Sequence, residues 1–217
     1  KHADLSGNKR VQLSTFYNRL TIFFETQQLD SAISASNRVF ALARELKDSI
    51  TLLDANLVLS YCYRNKGLPE QQFQYLTRTM NIYQAVKYKY NTGDADKESK
   101  RVHYIYTNVL YSLADYFYDK NNIIKSLEYY NELDAIIPEK RKSHNPIIYI
   151  GKGSCYEKMG ATDSANKYFK MAVEKTDTIW YFREHRSSAA RHYARLLLAN
   201  GHSKEGARYL HESLRLA

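Results

Sequence analysis

The sequence predicts an all-α chain made of about five antiparallel helix-turn-helix repeats. Three observations carry this. Of 217 residues only 8 are Gly and 3 are Pro, too few turn-formers for a chain of many short strands. Hydrophobic residues make up 44% and charged residues 25%, a composition that can bury a core. Residues suited to ending a helix recur at a near-constant interval. Gln27, Gly67, Asn121, Gly160 and Gly201 are separated by 40, 54, 39 and 41 positions. The period is therefore about 40, with one insertion of about 14.

Apolar residues at steps of three and four place a helix on each side of every such turn. In the first unit Phe16, Leu20 and Phe23 precede the turn at Gln27 and Ala32 follows it, giving helices 13–27 and 30–47. In the second, Leu59, Ser60 and Tyr63 lead to Gly67, and Pro69 opens the next helix, where its missing N–H is harmless; the helices are 50–66 and 69–89. In the third, Leu110, Leu113, Ala114 and Phe117 precede Asn121, and Ser126 and Tyr130 follow, giving 100–120 and 122–136. The fourth pair is 146–159 and 163–176 around Gly160. The fifth is 180–199 and 203–216 around Gly201, with Ala190, Tyr193, Ala194, Leu197 and Leu210 in register. Polar, pattern-breaking residues 91–98 and 139–145 read as loops. The chain is read as one domain, 1–217, with repeats near 13–48, 50–90, 100–138, 146–177 and 180–216.

The fourth unit carries a more specific pattern. Tyr149-x-x-Lys152-Gly153-x-x-Tyr156 is followed by Gly160, then by Ala165-x-x-x-Phe169 and Ala172. This resembles the tetratricopeptide repeat, W-x-x-L-G-x-x-Y followed by A-x-x-x-F. Tyr149 takes the place of the Trp, and Lys152 departs from the expected Leu. The resemblance covers residues 13–216 and implies a right-handed superhelical solenoid. In it small residues (Ala114, Gly153, Ala165, Ala194) let paired helices approach, and large ones (Phe117, Phe169, Leu197) fill the space to the next repeat.

Catalytic chemistry finds no support. Gly151-Lys152-Gly153-Ser154 looks like part of a phosphate loop, but the order G-x-x-x-x-G-K-[ST] is missing and the repeat already accounts for Gly153. Asn91, Asp94, Asp96 and Glu98 do not follow the calcium-loop order. His185, His192, His202 and His211 lie late in the chain without a nearby Cys, so no zinc site is expected. No cofactor, metal or enzyme activity is assigned. Cys62 and Cys155 are read as buried free thiols, which favours a reducing compartment without fixing it. No stretch reaches the roughly 18 apolar residues of a membrane helix.

What remains is surface. The resemblance implies that the first helix of each pair lines a concave groove. Helical spacing then selects Tyr17, Thr21 and Phe24; Leu57, Tyr61, Arg64 and Asn65; Asn108, Tyr111, Asp115, Tyr118 and Asp119; Ile150, Ser154, Glu157 and Lys158; and Arg191 and Arg195. Tyrosines beside both signs of charge suit a peptide or protein segment. A competing reading comes from charge. The net charge is +9 and leans to the C-terminal third, where Arg183, Arg186, Arg191 and Arg195 accompany Trp180, Tyr181 and Tyr193. That suggests a nucleic-acid face, yet Glu184, Glu205 and Glu212 interleave, and this is the weaker reading. Leu210, Leu214 and Leu216 close the last helix without a successor. A further segment, an attached output domain or a second copy is expected there. Bacterial regulators and kinases carry arrays that resemble this one, so the resemblance implies an interaction or sensor module of a larger protein.

Overall fold

The computed structural model describes residues 8–90, 96–137, 146–175 and 183–216. Among these residues it contains ten α-helices and no strand. They are α1 (Lys9–Glu25), α2 (Leu29–Glu45), α3 (Ser49–Asn65), α4 (Pro69–Tyr90), α5 (Lys97–Asp119), α6 (Ile123–Ile136), α7 (Pro146–Lys158), α8 (Thr162–Lys175), α9 (Arg183–Ala199) and α10 (Ser203–Leu216). The architecture is an all-α helical-repeat solenoid, as the period of turn residues predicts. By packing, the chain divides into two compact units, Lys1–Ser112 and Leu113–Ala217, and the division falls within α5. Each unit is described by itself.

The turns explain the period. Gln27, Gly67, Asn121, Gly160 and Gly201 all adopt positive φ, from 58° to 82°. In each turn the following residue's N–H reaches back to a carbonyl five positions earlier. Gln28 donates to Phe23, Leu68 to Tyr63, Asn122 to Phe117, Ala161 to Tyr156 and His202 to Leu197, all at 2.8–2.9 Å. This satisfies carbonyls that the helix end would leave bare. Gly occupies the left-handed position without strain at three of the five turns. A sixth left-handed residue, Lys47 at φ 53°, ends α2 in the same way through Asp48 N–H to the Ala43 carbonyl at 2.8 Å. The sequence pattern ends that helix at Lys47 without indicating its conformation, because no Gly marks it.

Helix starts differ from expectation where a cap decides them. α1 begins at Lys9, not at 13, because the Asn8 side chain accepts from Val11 N–H at 3.2 Å. α5 begins at Lys97, not at 100. Asp96 accepts from Ser99 N–H at 2.6 Å, and that N–H holds the exposed Asp96 carboxyl below the usual range. Residues 97–98, whose polarity suggests a loop, therefore belong to the helix. Residues 91–95 and 138–145 lie outside the described part of the chain.

In the first unit the core gathers Leu20 from α1, Val39 and Ala43 from α2, and Ala55, Leu59 and Cys62 from α3. In the second, Tyr149, Ala165, Phe169, Ala190, Ala194 and Leu197 form one cluster. Fully burying Phe169 contributes about 1.5–3 kcal/mol. Gly153 faces it, and a Cβ there would stand 2.8 Å from the Phe169 ring. At Gly151 a Cβ would run into the Tyr130 ring. The Gly151–Ser154 run thus sits inside α7 as a packing surface. Lys152, where the resemblance expects Leu, is 3% exposed. Its ammonium lies 2.6 Å from Asp134 of α6 and 5.5 Å from the centre of the Tyr168 ring. The stem fills the apolar position and the partners satisfy the charge. Both cysteines are buried and free, and burial pushes the Cys62 thiol up to about 11. Among the described residues no helix is long and apolar enough to cross a membrane.

Candidate functional site

In the first unit α1 and α3 touch directly, so the first helices of successive hairpins lie side by side. Several of the residues selected by spacing meet along these first helices. Tyr61 stacks on Phe24, with ring centroids 6.1 Å apart, and its hydroxyl donates to the Asn108 side-chain oxygen at 3.3 Å. The Asn108 amide in turn donates to the Tyr104 carbonyl at 2.7 Å. At the far end of α3, the Asn65 amide donates to the Gln27 side-chain oxygen at 3.4 Å. Arg64 is exposed, and Tyr111 is half-buried; Leu57 is buried and Ile150 packs against the core of the second unit, so these two serve the interior and not the groove. Burial pushes the Tyr61 hydroxyl up to about 12, so it stays protonated and remains a donor.

Tyr17 stands at the other end of this face, in a cluster that sequence reasoning missed. The Arg101 guanidinium lies 5.6 Å from the centre of the Tyr17 ring and forms an ion pair with Asp54. Asp54 is buried, and desolvation pushes its carboxyl above the usual range although Arg101 pulls the other way. The same desolvation, followed by the Asp54 charge, raises the Tyr17 hydroxyl. Tyr104 was also missed. It is 65% exposed, one turn before Asn108 and one turn after Arg101. The signal was present: counting back from Asn108 in steps of four and three gives 104 and 101. Asp54 could have been found as the one carboxylate inside the apolar run Ile50–Leu59.

In the second unit, α7 and α9 touch directly and the face is more strongly charged. The Lys158 ammonium sits 3.8 Å from the centre of the Tyr118 ring and donates to the Tyr118 carbonyl at 3.2 Å. Ser154 also hydrogen-bonds Tyr118. Glu157 accepts from Arg195 at 2.5 Å, and His192 lies 4.0 Å from the same carboxylate. Burial, reinforced by Arg195, lowers the basicity of His192, whose ring stacks on Phe169 at 5.1 Å. Asp115 accepts from Tyr130 of α6 at 2.7 Å and so serves its own hairpin.

The basic residues of the last repeat are partly neutralised. Arg195 is held by Glu157, and Arg186 lies 2.7 Å from Glu212. Arg191 is exposed. Trp180, Tyr181 and the Arg183 side chain lie outside the described part. Among the described residues no three of His, Cys, Asp and Glu converge as metal ligands.

No family model and no curated protein matches the chain. Solved structures do. BtubC (BKLC) from P. vanneervenii matches with a TM-score of 0.79 at 13% identity, over 95% of this chain and 82% of that one. The nearly identical TPR-like repeats of a Podosopora anserina protein described as a putative kinesin light chain match with a TM-score of 0.65 at 16% identity, over 94% of each. MamA matches with a TM-score of 0.60 at 15% identity, over 94% of this chain and 91% of that one. At such identities the likeness is one of architecture, and the architecture is that of the TPR-like helical repeats.

Proposed function

We propose that this chain is a non-catalytic scaffold that binds a peptide or protein segment along the face of its first helices. The observation that carries the reading is the arrangement around Tyr104. A largely exposed aromatic ring stands on a helix whose neighbouring turns hold an amide at Asn108 and a guanidinium at Arg101, and that amide accepts from the hydroxyl of Tyr61 on the adjacent first helix. Such a face offers apolar contact area at low entropic cost together with fixed donors and acceptors. Helical-repeat folds of this kind commonly serve protein–protein interaction, which supports the general role. A sensor or regulatory module within a larger protein is the fuller form of the proposal.

The test uses the intact chain as bait for a displayed peptide library. Selected peptides should lose most of their affinity for the Tyr104→Ala and Asn108→Ala variants, with far-UV circular dichroism unchanged. Tyr104 is the better site to truncate than Tyr61, since an exposed ring contributes little to folding. Equal affinity for the parent and both variants would dispose of the proposal.

A further inference from the structure

A second surface lies on the first hairpin, away from the face just described. Two shallow depressions of about 450 and 560 Å³ run between α1 and α2 and share Phe16 and Arg38. Together they form a groove. Its apolar floor is Phe16 and Phe23 on α1 and Ala35 and Leu42 on α2, all half-buried. On each helix the two floor residues are seven apart, which is two turns. From Gln12 to Phe23 the groove runs about 16 Å, the length of three helical turns. Knobs at two-turn spacing on both walls match the i, i+3, i+4, i+7 stripe of an amphipathic helix.

Charge decides what kind of helix. Arg19 lies 6.0 Å from the centre of the Phe23 ring, and Arg38 lies 6.0 Å from that of Phe16. Neither guanidinium has a carboxylate partner among the described residues. The two carboxylates lining the groove are already engaged, Asp30 by Lys66 and Glu45 by Lys9. The groove therefore offers an apolar floor with two unspent positive charges held above it. We infer that it docks an amphipathic helix of about three turns from another protein, with an apolar stripe flanked by Asp or Glu. A second copy fits poorly. The exposed leucines of α10, Leu210 and Leu214, share their helix with two carboxylates, but Glu205 is paired with Arg208 and Glu212 with Arg186, so that helix brings no unengaged acid to Arg19 and Arg38.

The inference stands apart from the proposal for the first-helix face. It is tested by fluorescence anisotropy with two synthetic helical 14-residue probes. Both carry Leu at i, i+3, i+4 and i+7; one is flanked by Glu, the other by Lys. The intact chain should bind the Glu probe saturably and more tightly than the Lys probe. Reversing both charges (R19E with R38E) should weaken the Glu probe roughly tenfold or more and strengthen the Lys probe. Both positions are exposed, so the fold survives the change, as circular dichroism would verify. Tyr104→Ala should leave the Glu probe unaffected; its loss there would move the binding to the other face and overturn the inference. Failure to bind, or equal binding of the two probes, overturns it as well. So would a concentration-dependent dimer abolished by R19E with R38E. Binding that emerges only after removal of residues 1–7 would give the groove to the chain's own leading segment and overturn the inference too.

Discussion

Replacing Gly151 by Ala should destabilise the second unit, although Gly to Ala inside an exposed helix ordinarily stabilises by about 1 kcal/mol. The magnitude follows from what the new methyl meets. Three ring carbons of Tyr130 crowd the ideal Cβ, the farthest of them at 2.6 Å, and no real contact is that short. The ring cannot swing away freely, because its hydroxyl is tied to Asp115 at 2.7 Å. Overpacking costs roughly 1–3 kcal/mol. Weakening a hydrogen bond to a carboxylate adds about 1.5–3 kcal/mol. Set against the helix-propensity gain, the net loss is about 1.5–5 kcal/mol. For a unit of this size that lowers Tm by at least roughly 6 °C. Urea and thermal unfolding followed by circular dichroism would measure it. The partner change Tyr130→Leu removes the obstructing ring, so Gly151→Ala should cost far less in that background than in the parent. A Gly151→Ala chain as stable as the parent, or a cost unchanged by Tyr130→Leu, would refute the close approach of α7 to α6.

Three other outcomes follow from the same geometry. Lys47→Gly and Gln27→Gly should each raise stability by up to about 1 kcal/mol, and Gly160→Ala should lower it by a similar amount. The Gly160 methyl would meet nothing within 4 Å, so thermal unfolding of Gly160→Ala reads the backbone alone. Asp54→Asn should stabilise the first unit at pH 7. The folded Asp54 carboxyl is raised above its unfolded value, so folding takes up a proton, and stability is lost as pH climbs from about 3.9 through the folded value. The gap between variant and parent in urea unfolding should accordingly close as pH drops toward about 3. Replacing Lys152 and Asp134 together by Leu and Asn should be neutral or stabilising in thermal unfolding, whereas Asp134→Ala alone should cost about 3–5 kcal/mol by stranding a buried ammonium.

The fold was legible because helix termination is a local property. Whether a residue can sit at positive φ is decided by its own Cβ and side chain, and the recurrence of Gly67, Gly160 and Gly201 could be read without any knowledge of packing. Gln27 and Asn121 were found only because they fall in register with those glycines, and the left-handed conformation of Lys47 went unread because it falls between the registers. Contacts along the first helices were legible only in part. Steps of three and four identify a stripe on each helix, and the Tyr61 hydroxyl reaches Asn108 across two of them. Spacing along one helix does not say which turn of the next helix lies opposite, and for that reason Arg101 and Asp54 went unpaired until the hairpins were stacked. Lys152 shows the limit most clearly. Its position demands an apolar residue, yet the chain places a charge there, and the carboxylate of Asp134 on the neighbouring hairpin, with the Tyr168 ring, makes that acceptable. Residues 18 apart in sequence compensate one another, so a departure from the repeat pattern at one position is evidence about another position, and a search confined to one repeat at a time cannot collect it. The same reasoning separates the two candidate surfaces. The first-helix face is read from features that recur with the period, while the groove between α1 and α2 depends on where Arg19 and Arg38 stand relative to Phe23 and Phe16 and on the absence of carboxylate partners for them among the described residues, which no repeat pattern encodes.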